Sequence, residues 1–255
     1  RKTDELFRQN HKEAFRIQSE TVDISSTDIR IRLKEGEDVC ELLPRKVAEY
    51  IEEKHLYQCH PWTFQQLQAY VKDHVKPSRY LHIEGVMEAA LILSDLYGGN
   101  RDTIALAALC HDMLKDHEDS NLLELILRYG EVPADDGNSP QILHAQAGAI
   151  YLEHVCCIKN EELLNAVRYH TTGRAQMGLT EKIIFIADYI EKGRNFPGVE
   201  ELRKLAQENL DKAVLTALSG TIKHLESLNK PVAAISRSAM EYYERVLKER
   251  TNHER

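Results

Sequence analysis

The chain has 255 residues, 42% of them hydrophobic and 29% charged, so it is long enough for one large domain or two smaller ones with a sizeable core. Its formal charge of -8 at pH 7 argues against a nucleic-acid-binding surface, which is normally basic, but allows an anionic small substrate held by local cations. No apolar run approaches the roughly 20 residues that a membrane span needs, and no signal peptide opens the chain, so the sequence predicts a cytoplasmic protein without membrane contact.

Residues 1–57 differ in character from the rest of the chain. A Ser/Thr cluster in DISSTDIR marks a helix start, Gly36 is a helix stop, and Pro44 opens another helix. The change in character falls near QCHPW, residues 58–62. We therefore predict two domains, residues 1–57 and residues 58–255.

Helical signals dominate the second domain, and strand signals are scarce. Apolar residues recur there at three- and four-residue spacing, and the breaks between runs contain Gly, Pro and Asn. The predicted helices span residues 63–75, 81–98, 101–114, 142–155, 161–170, 180–193, 199–220 and 232–250. The segment 131–140 is the clearest loop. The pattern predicts an all-α fold, a helical bundle.

The cysteines show neither disulfide nor metal-binding spacing. They are Cys40, Cys59, Cys110, Cys156 and Cys157, an odd number with one adjacent pair and no CxxC. This usage is typical of reduced thiols in a cytosolic protein and not of a thiolate zinc site. Cys110 precedes a histidine, but a small core residue is the favoured interpretation over a metal ligand.

A His-Asp pair ends the apolar run ALAALCHDMLKDH, residues 105–117. An ionised carboxylate in an apolar interior costs several kcal/mol or more unless a partner compensates it. His111 could cap a hydrogen bond in the core, Asp112 could pair with a lysine, or the pair could face solvent. The remaining explanation is a bound metal ion.

Four further histidines and aspartates occur in unexpectedly apolar surroundings. They are His82, His144, His170 and Asp188, roughly one for each predicted helix. A lone buried histidine is more often a satisfied core residue, and a lone aspartate is usually a helix cap. Six such residues together favour a dinuclear metal centre, in which imidazoles and carboxylates converge from different helices.

The ordered set H…HD…H…H…D resembles the HD-domain phosphohydrolase superfamily. The phrases SRYLHIEGVMEAALILSDLYG, ALCHDMLKD and YHTTGRAQMGLTEKIIFIADYIEKGRNFPGVEELRKLA are similar to the YqeK-type symmetrical bis(5′-nucleosyl)-tetraphosphatases, over residues 62–220. The resemblance implies an all-helical HD domain with two metal ions, often iron, with manganese or magnesium as alternatives. It also implies hydrolysis of diadenosine tetraphosphate, a small nucleotide, into two ADP, and a homodimer.

The resemblance also implies a role for each of the six residues. His82, His111, Asp112 and Asp188 would hold one metal ion, and His144 and His170 would hold the second. Asp112 would bridge both ions, since a carboxylate can bind two cations, whereas a neutral imidazole normally binds one. A hydroxide bridging the two metals would attack an inner phosphorus in line and expel a nucleoside diphosphate, so no protein nucleophile is needed. Asp112 and Lys115 are the predicted catalytic residues.

Further cations and a turn are candidates for substrate binding. Lys115 follows His111 by four residues, so a helix would place both on one face, where the ammonium could neutralise phosphate charge. The alternative for Lys115 is a solvated surface lysine. The other candidates are Arg79, Arg174 and Arg194, whose planar guanidinium suits phosphate oxygens, and Thr171, Thr172 and Gly173, whose backbone amides could approach a phosphate. Arg194 is favoured over Arg174, and a simple helix stop also explains Gly173. The sequence shows no group of aromatic residues that would stack on the two nucleosides. Tyr80 and Tyr189 are expected to pack in the core.

The segment ISSTDIR, residues 24–30, resembles the C-terminal signature of NadD-type nicotinate-mononucleotide adenylyltransferases. That resemblance implies phosphate contacts at a helix start, where backbone amides favour anions, and the matching residues are Ser25, Ser26, Thr27 and Arg30. The chain lacks an HxGH motif and the strand-helix nucleotide fold that should precede this signature. Residues 1–57 are therefore expected to be the helical remnant of an α/β transferase that makes no dinucleotide.

Two alternatives to tetraphosphate hydrolysis stay open. An HD-type hydrolase could act on a nucleoside monophosphate, a deoxynucleoside triphosphate or a guanosine alarmone, because the ligand spacing specifies phosphate hydrolysis better than the leaving group. A non-catalytic HD scaffold could bind a partner or a signalling nucleotide. Such modules usually lose ligands, and all six are present here.

Overall fold

A computed structural model describes residues 25–34, 38–54, 56–57, 60–132 and 140–253. It divides into two compact units, Arg1–Cys59 and His60–Arg255. Throughout the described residues every regular element is helical and no strand occurs, so the prediction of an all-α fold is confirmed. None of the helices described is both long enough and apolar enough to cross a membrane.

The described part of the first unit begins at the predicted Ser/Thr cluster. It contains helix α1 (Ser26–Lys34), a 3-10 turn (Cys40–Leu42) and helix α2 (Arg45–Glu53). The backbone N–H of Ser25 donates to Asp28 Oδ2 at 2.9 Å, and the N–H of Asp28 donates to Ser25 Oγ at 3.1 Å. This reciprocal pair satisfies backbone donors at the start of α1. Pro44 directly precedes α2 as predicted, whereas the helix stop expected at Gly36 lies outside the described residues.

The described part of the second unit is a bundle of longer helices. These are α3 (Phe64–His74), α4 (Pro77–Tyr97), α5 (Arg101–Cys110), α6 (Asp119–Arg128), α7 (Pro140–Ile150), α8 (Glu161–Tyr169), α9 (Leu179–Ile190), α10 (Val199–Glu208), α11 (Leu210–Ser227) and α12 (Ala234–His253). Helix α9 lies at the centre and packs against α4, α5, α8, α10 and α11. Its consecutive residues Ile183, Ile184, Phe185 and Ile186 are all fully buried, as expected for a helix that is apolar on every side.

Side-chain caps fix where several helices begin. Thr63 and Gln66 form a capping box at the start of α3. Asn100 accepts a 2.9 Å hydrogen bond from the Thr103 backbone N–H at the start of α5, and Asn160 caps α8 in the same way. The break predicted from Gly98 to Asn100 is therefore a helix end followed by a cap.

Two predicted helices have different bounds in the structure. Helix α4 begins at Pro77, four residues before the predicted start, because proline is favoured in the first turn of a helix. The run 199–220 is divided by Asn209, which is extended and accepts a 2.9 Å hydrogen bond from the Lys212 N–H to cap α11.

Two other segments also depart from the prediction. The run 142–155 changes from α7 to a π-helix at Tyr151–Val155. Helix α6, which was not predicted, is a short amphipathic helix that buries Leu122 and Ile126.

The cysteines are not all free. Cys110 and Cys156 are free and buried, so Cys110 is the core residue that the sequence favoured. Cys157 is disulfide-bonded, so the expectation of reduced thiols is wrong for this residue.

Candidate metal centre

Two of the histidines are oriented by the same local arrangement. His111 directly follows α5, and His170 directly follows α8. His111 Nδ1 lies 2.7 Å from the Ala108 carbonyl oxygen, and His170 Nδ1 lies 2.8 Å from the Val167 carbonyl oxygen. A carbonyl only accepts, so each Nδ1 carries the proton and each Nε2 presents its lone pair. Both rings are buried, and both direct this lone pair into the bundle.

Asp112 lies between the imidazoles and turns one carboxylate oxygen to each side. Its Oδ1 lies 3.0 Å from His144 Nε2 and 3.4 Å from His170 Nε2. Its Oδ2 lies 3.6 Å from His111 Nε2 and 3.7 Å from His82 Nε2. Each oxygen therefore faces a different pair of ring nitrogens, which is the geometry of a carboxylate able to bind two cations.

Asp188 completes the cluster from the last turn of α9. Its Oδ1 lies 3.0 Å from His82 Nε2 and accepts a hydrogen bond from Arg194 Nη2. His82 comes from α4, and His144 comes from α7. Side chains from widely separated parts of the sequence thus meet in one place.

The chemistry of the donors fits metal ions. Three sets of donor atoms each lie within 4.8 Å of one another: His82, His111 and Asp112; His111, His170 and Asp188; Asp112, His144 and His170. Among the described residues, His82 Nε2 and His111 Nε2 are buried side-chain atoms without a hydrogen-bond partner. Buried polar atoms normally have partners, so ring nitrogens directed at carboxylates with no hydrogen bond are well suited to a cation.

Burial keeps two of the imidazoles in the neutral form that binds metals. It lowers the pKa of both His111 and His144 to about 4. Burial alone would raise the pKa of Asp112, but the imidazoles of His111, His144 and His170 outweigh it and hold that pKa well below its usual range. At neutral pH the centre therefore combines the neutral imidazoles of His111 and His144 with the ionised carboxylate of Asp112, and these are the forms that metal ligation requires. Burial alone would lower the pKa of His82, but the carboxylates of Asp188 and Glu191 outweigh it, so that pKa is raised instead.

Three of the four cations predicted from the sequence to bind substrate contact this cluster. Arg79 Nη1 donates to Asp112 Oδ2 at 2.8 Å. Arg194 Nε donates to the Asp188 backbone carbonyl at 2.7 Å, in addition to the Nη2 contact with the carboxylate. Lys115 Nζ lies 3.2 Å from His144 Nδ1 and 3.3 Å from the Gln141 carbonyl oxygen. Lys115 thus contacts a candidate ligand, which argues against the alternative of a solvated surface lysine.

Arg174 is placed differently from the other arginines. Its Nε and Nη2 donate to the two carboxylate oxygens of buried Glu181 at 2.6 and 2.7 Å, and its guanidinium packs over the Tyr169 ring. The Gly178 backbone N–H also donates to Glu181, at 2.7 Å. The guanidinium therefore joins the turn after α8 to the start of α9 instead of reaching the cluster.

Gly173 is explained by its turn. It has a φ of +61°, and its N–H donates to the Tyr169 carbonyl at 2.8 Å. A Cβ at this position would lie 3.3 Å from Leu218. The turn and these contacts require a glycine whether or not a phosphate binds here, in agreement with the alternative that Gly173 is a helix stop.

Thr171 and Thr172 line a cavity of about 300 Å³. Thr171 directly follows His170, and its buried Oγ1 has no hydrogen-bond partner among the described residues. Most of the remaining cavity wall is apolar and comes from α11 and the segment 230–233, with Tyr189 on the side of α9. Tyr189 was expected only to pack in the core, but it lines this cavity while its hydroxyl contacts Thr221 Oγ1 at 2.6 Å.

Sequence reasoning missed one side chain at the cluster. Glu191 Oε1 lies 3.2 Å from His82 Nδ1, and the Glu191 side chain is buried. An acidic residue directly after a helix is ordinarily read as a surface charge. Its spacing of three residues after Asp188, which places it near that carboxylate, is the signal that could have identified it.

Comparison with known proteins gives concordant matches. The model of the HD domain matches residues 79–193. The symmetrical bis(5′-nucleosyl)-tetraphosphatase of Halalkalibacterium halodurans is 41% identical over 171 residues, which cover 64% of this chain and 87% of that protein. A crystal structure from Clostridium acetobutylicum, described as a predicted HD superfamily hydrolase involved in NAD metabolism, matches with a TM-score of 0.70 and 37% identity. The match covers 72% of this chain and 98% of that one.

A further relative combines two activities in its name. The probable nicotinate-nucleotide adenylyltransferase/Ap4A hydrolase of Mycoplasma genitalium is 27% identical over 195 residues, which is 74% of this chain. The chain spans about half, 51%, of the length of that relative.

Proposed function

The chain belongs to the HD-domain family that includes the symmetrical bis(5′-nucleosyl)-tetraphosphatases, and on this premise we propose that it hydrolyses diadenosine tetraphosphate symmetrically into two ADP. The observation that carries the proposal is the position of Asp112, whose two oxygens face different pairs of imidazoles. A centre built for two cations suits a substrate with four adjacent phosphates.

The donor sets support a division of ligands between two metal ions. In this proposal the first ion is held by His82, His111, Asp112 and Asp188, and the second by His144, His170 and the shared Asp112. When bound, such ions supply Lewis acidity and lower the pKa of water at the centre. Iron is the metal that we propose, and manganese and magnesium are the alternatives.

The chain's own cations surround the place where phosphate oxygens would lie. Arg79 and Arg194 present guanidinium groups beside the two carboxylates, and guanidinium matches the geometry of phosphate oxygens. Lys115 adds an ammonium beside His144. Charge develops on the oxygen of the departing ADP, and fixed cations at that position stabilise it without reorganisation.

His144 and Lys115 change partners in this proposal. An ammonium only donates, so at 3.2 Å Lys115 directs a proton at His144 Nδ1. Ligation through His144 Nε2 requires that nitrogen to present its lone pair and Nδ1 to carry the proton. Lys115 then has to turn from His144, which frees its ammonium for a phosphate oxygen.

The cavity lined by Thr172 and Tyr189 supplies a place for one nucleoside. Its volume of about 300 Å³ lies at the lower end of the range for small-molecule sites, and its wall is largely apolar with a few hydroxyl groups. Thr171 connects it along the chain to His170. One end of the substrate can therefore occupy the cavity while its phosphates lie at the cluster.

Product analysis tests the proposed reaction. The protein, loaded with Fe²⁺ or Mn²⁺, is incubated with diadenosine tetraphosphate, and the nucleotides are separated by chromatography. Two ADP per substrate is the expected result, and AMP plus ATP would contradict symmetrical cleavage. Faster turnover of a deoxynucleoside triphosphate, a nucleoside monophosphate or a guanosine alarmone would assign the site to another nucleotide. Metal uptake without turnover of any of them would favour a binding scaffold.

We also propose that residues 1–57 are the C-terminal remnant of a nicotinate-mononucleotide adenylyltransferase. The Mycoplasma relative, whose name joins an adenylyltransferase to an Ap4A hydrolase, supports this order of domains. Ser26, Thr27 and Arg30 lie on α1 at the start that Ser25 caps. A cytoplasmic location and a homodimer stay predictions, and light scattering of the purified protein tests the dimer.

A further inference from the structure

Glu191 is a buried carboxylate with two hydrogen-bond partners, and its Oε1 also lies 3.9 Å from Arg194 Nε. Only 5% of the residue is exposed, although it directly follows the last residue of α9. Glu191 Oε1 lies 3.2 Å from His82 Nδ1, and Glu191 Oε2 accepts a 2.5 Å hydrogen bond from the backbone N–H of Gly193. A carboxylate accepts, so the Nδ1 of His82 is the donor in the first contact.

Two glycines provide the space for this carboxylate. Gly85 lies on α4, three residues after His82, and a Cβ there would lie only 2.7 Å from Glu191 Oε2. A Cβ at Gly193 would lie 3.0 Å from both Glu191 oxygens. A glycine within a helix weakens that helix, so the presence of Gly85 in α4 is explained by the close approach of Glu191.

The turn that carries Glu191 is held from a third element. Arg203 on α10 donates to the backbone carbonyls of Ile190, Glu191 and Arg194, at 2.9, 2.8 and 2.9 Å. These are carbonyls at and just beyond the end of α9, where no further helical turn exists to satisfy them. Arg203 thereby fixes the backbone from which the Glu191 side chain reaches His82.

His82 requires such a partner because of its position in the fold. His111 and His170 follow the ends of helices and use a backbone carbonyl to orient their rings. His82 lies inside α4, where the carbonyl oxygens accept the hydrogen bonds of the helix itself. A side-chain acceptor from the segment that follows α9 holds its ring instead.

We propose that Glu191 is a positioning residue, which holds the proton of His82 on Nδ1 and directs the Nε2 lone pair toward Asp112 and Asp188. Metal-binding histidines commonly donate their other N–H to a carboxylate, which fixes the tautomer and the orientation of the ring. The role rests on the proposed metal-dependent function of the cluster. Within residues 188–191, Asp188 is then a candidate metal ligand, and Glu191 orients another ligand, His82.

Metal affinity tests this role independently of turnover. Isothermal titration with Mn²⁺ on metal-stripped protein is compared for the wild type, Glu191→Ala and Glu191→Gln, and the visible absorption of the Co²⁺ forms reports the geometry at the metal. Loss of an outer partner of this kind typically weakens metal binding 10–100-fold. We expect a weakening of that order at one site in Glu191→Ala, together with a changed Co²⁺ spectrum. Glu191→Gln should lose less, because its amide oxygen can still accept from His82 Nδ1.

Glu181→Ala is the matched control. Glu181 is buried to the same degree as Glu191, with 4% exposed, but it pairs with Arg174. Its removal should lower the melting temperature and leave the Mn²⁺ affinity and the Co²⁺ spectrum unchanged. Gly85→Ala would put a Cβ only 2.7 Å from Glu191 Oε2, so the carboxylate must move, and the variant should also weaken Mn²⁺ binding. Should Glu191→Ala fail to give a native circular dichroism spectrum, Glu191→Gln and Gly85→Ala decide the question.

The outcomes separate this role from the proposed reaction. Wild-type Mn²⁺ affinity and an unchanged Co²⁺ spectrum in folded Glu191→Ala, or in the two substitute variants, would overturn the positioning role whatever the enzyme hydrolyses. A wild-type protein that binds Mn²⁺ but leaves diadenosine tetraphosphate intact would overturn the proposed function, while the comparison of affinities would still stand.

Discussion

Arg79 Nη1 donates a 2.8 Å hydrogen bond to Asp112 Oδ2, the carboxylate oxygen that also faces His82 and His111. The guanidinium is thus placed at the same oxygen as two of the candidate ligands. The residue predicted to bind phosphate therefore contacts the residue predicted to bridge the metals. The two roles can be separated by measuring metal content and turnover in the same variants.

Arg79→Ala is expected to lower kcat/KM for diadenosine tetraphosphate by on the order of 10²-fold, because a fixed cation beside the phosphates is lost. Metal content per chain should stay at the wild-type value, as measured by elemental analysis. Arg128→Ala is the control, since Arg128 is exposed and pairs with Glu124 at 2.9 Å. Loss of metal in Arg79→Ala would show that the arginine maintains the ligand geometry instead.

Asp112→Ala is expected to abolish turnover and to deplete both metals, because it removes the shared ligand. Elemental analysis and chromatography of the products measure the two effects. Asp211→Ala removes another buried aspartate, which pairs with Lys182 and Arg250 away from the cluster. It should reduce stability and keep the metals. Retention of one full equivalent of metal in Asp112→Ala would contradict a bridging role.

Lys115→Ala is expected to keep both metals and to slow hydrolysis by on the order of 10²-fold, because it removes an ammonium next to the phosphates. Steady-state kinetics at saturating metal measure the effect. Lys159→Ala, which removes a half-exposed lysine 3.7 Å from Glu153, should have wild-type kinetics. Unchanged kinetics in Lys115→Ala would show that this lysine takes no part in catalysis.

Arg174→Ala is expected to act on stability and not on catalysis. It would leave the buried carboxylate of Glu181 with the Gly178 N–H as its remaining partner, at a cost of about 1–3 kcal/mol. Thermal and urea unfolding measure that loss, and kcat/KM should stay near the wild-type value. A folded Arg174→Ala variant with strongly raised KM would restore Arg174 as a phosphate-binding residue.

Metal-free protein, prepared with a chelator, is expected to lose stability as the pH falls from about 6.5 to about 4. Burial lowers the pKa of His111 and His144 to about 4 from an ordinary value of 6.5. In that window the unfolded chain binds more protons than the folded one. The free energy of unfolding therefore decreases with falling pH, by up to about 1.4 kcal/mol per pH unit for each proton. Urea unfolding across this pH range provides the measurement.

The assignment of that pH dependence needs its own variants. His144→Gln should reduce the slope, whereas His60→Gln, which replaces an exposed histidine, should leave it unchanged. An equal slope in wild type and His144→Gln would contradict the assignment to this imidazole.

The candidate ligands were predictable because each one is a polar residue within or beside an apolar helical run. Periodicity places His82 and His144 on helices, and the cost of a buried charge singles out Asp112. The all-α class followed from the same periodicity. These signals are local. They predict the structure well because helices are formed by hydrogen bonds between residues close in the sequence.

Some of the features that sequence reasoning missed depend on side-chain partners that the local sequence does not indicate, and others on local signals that are weak. Glu191 was not singled out from the sequence, because the two residues that mark it, Gly85 and His82, approach it from another helix. Arg174 looked like a phosphate ligand because nothing local indicated Glu181 as its partner. Helix α6 was missed because its apolar face is short, and the division at Asn209 was missed because a single asparagine can be either a helix cap or an exposed residue within a helix.

The dispersal of the six donors along the chain has a consequence beyond chemistry. Residues 82 and 188 are separated by most of the domain, yet they approach within 3.0 Å. A metal ion bound there would act as a cross-link between remote parts of the polypeptide. It would stabilise the native state over the denatured state, and more so at a higher concentration of free ion. Availability of the metal would then govern how long the folded molecule survives heat and proteases, as well as how fast it works.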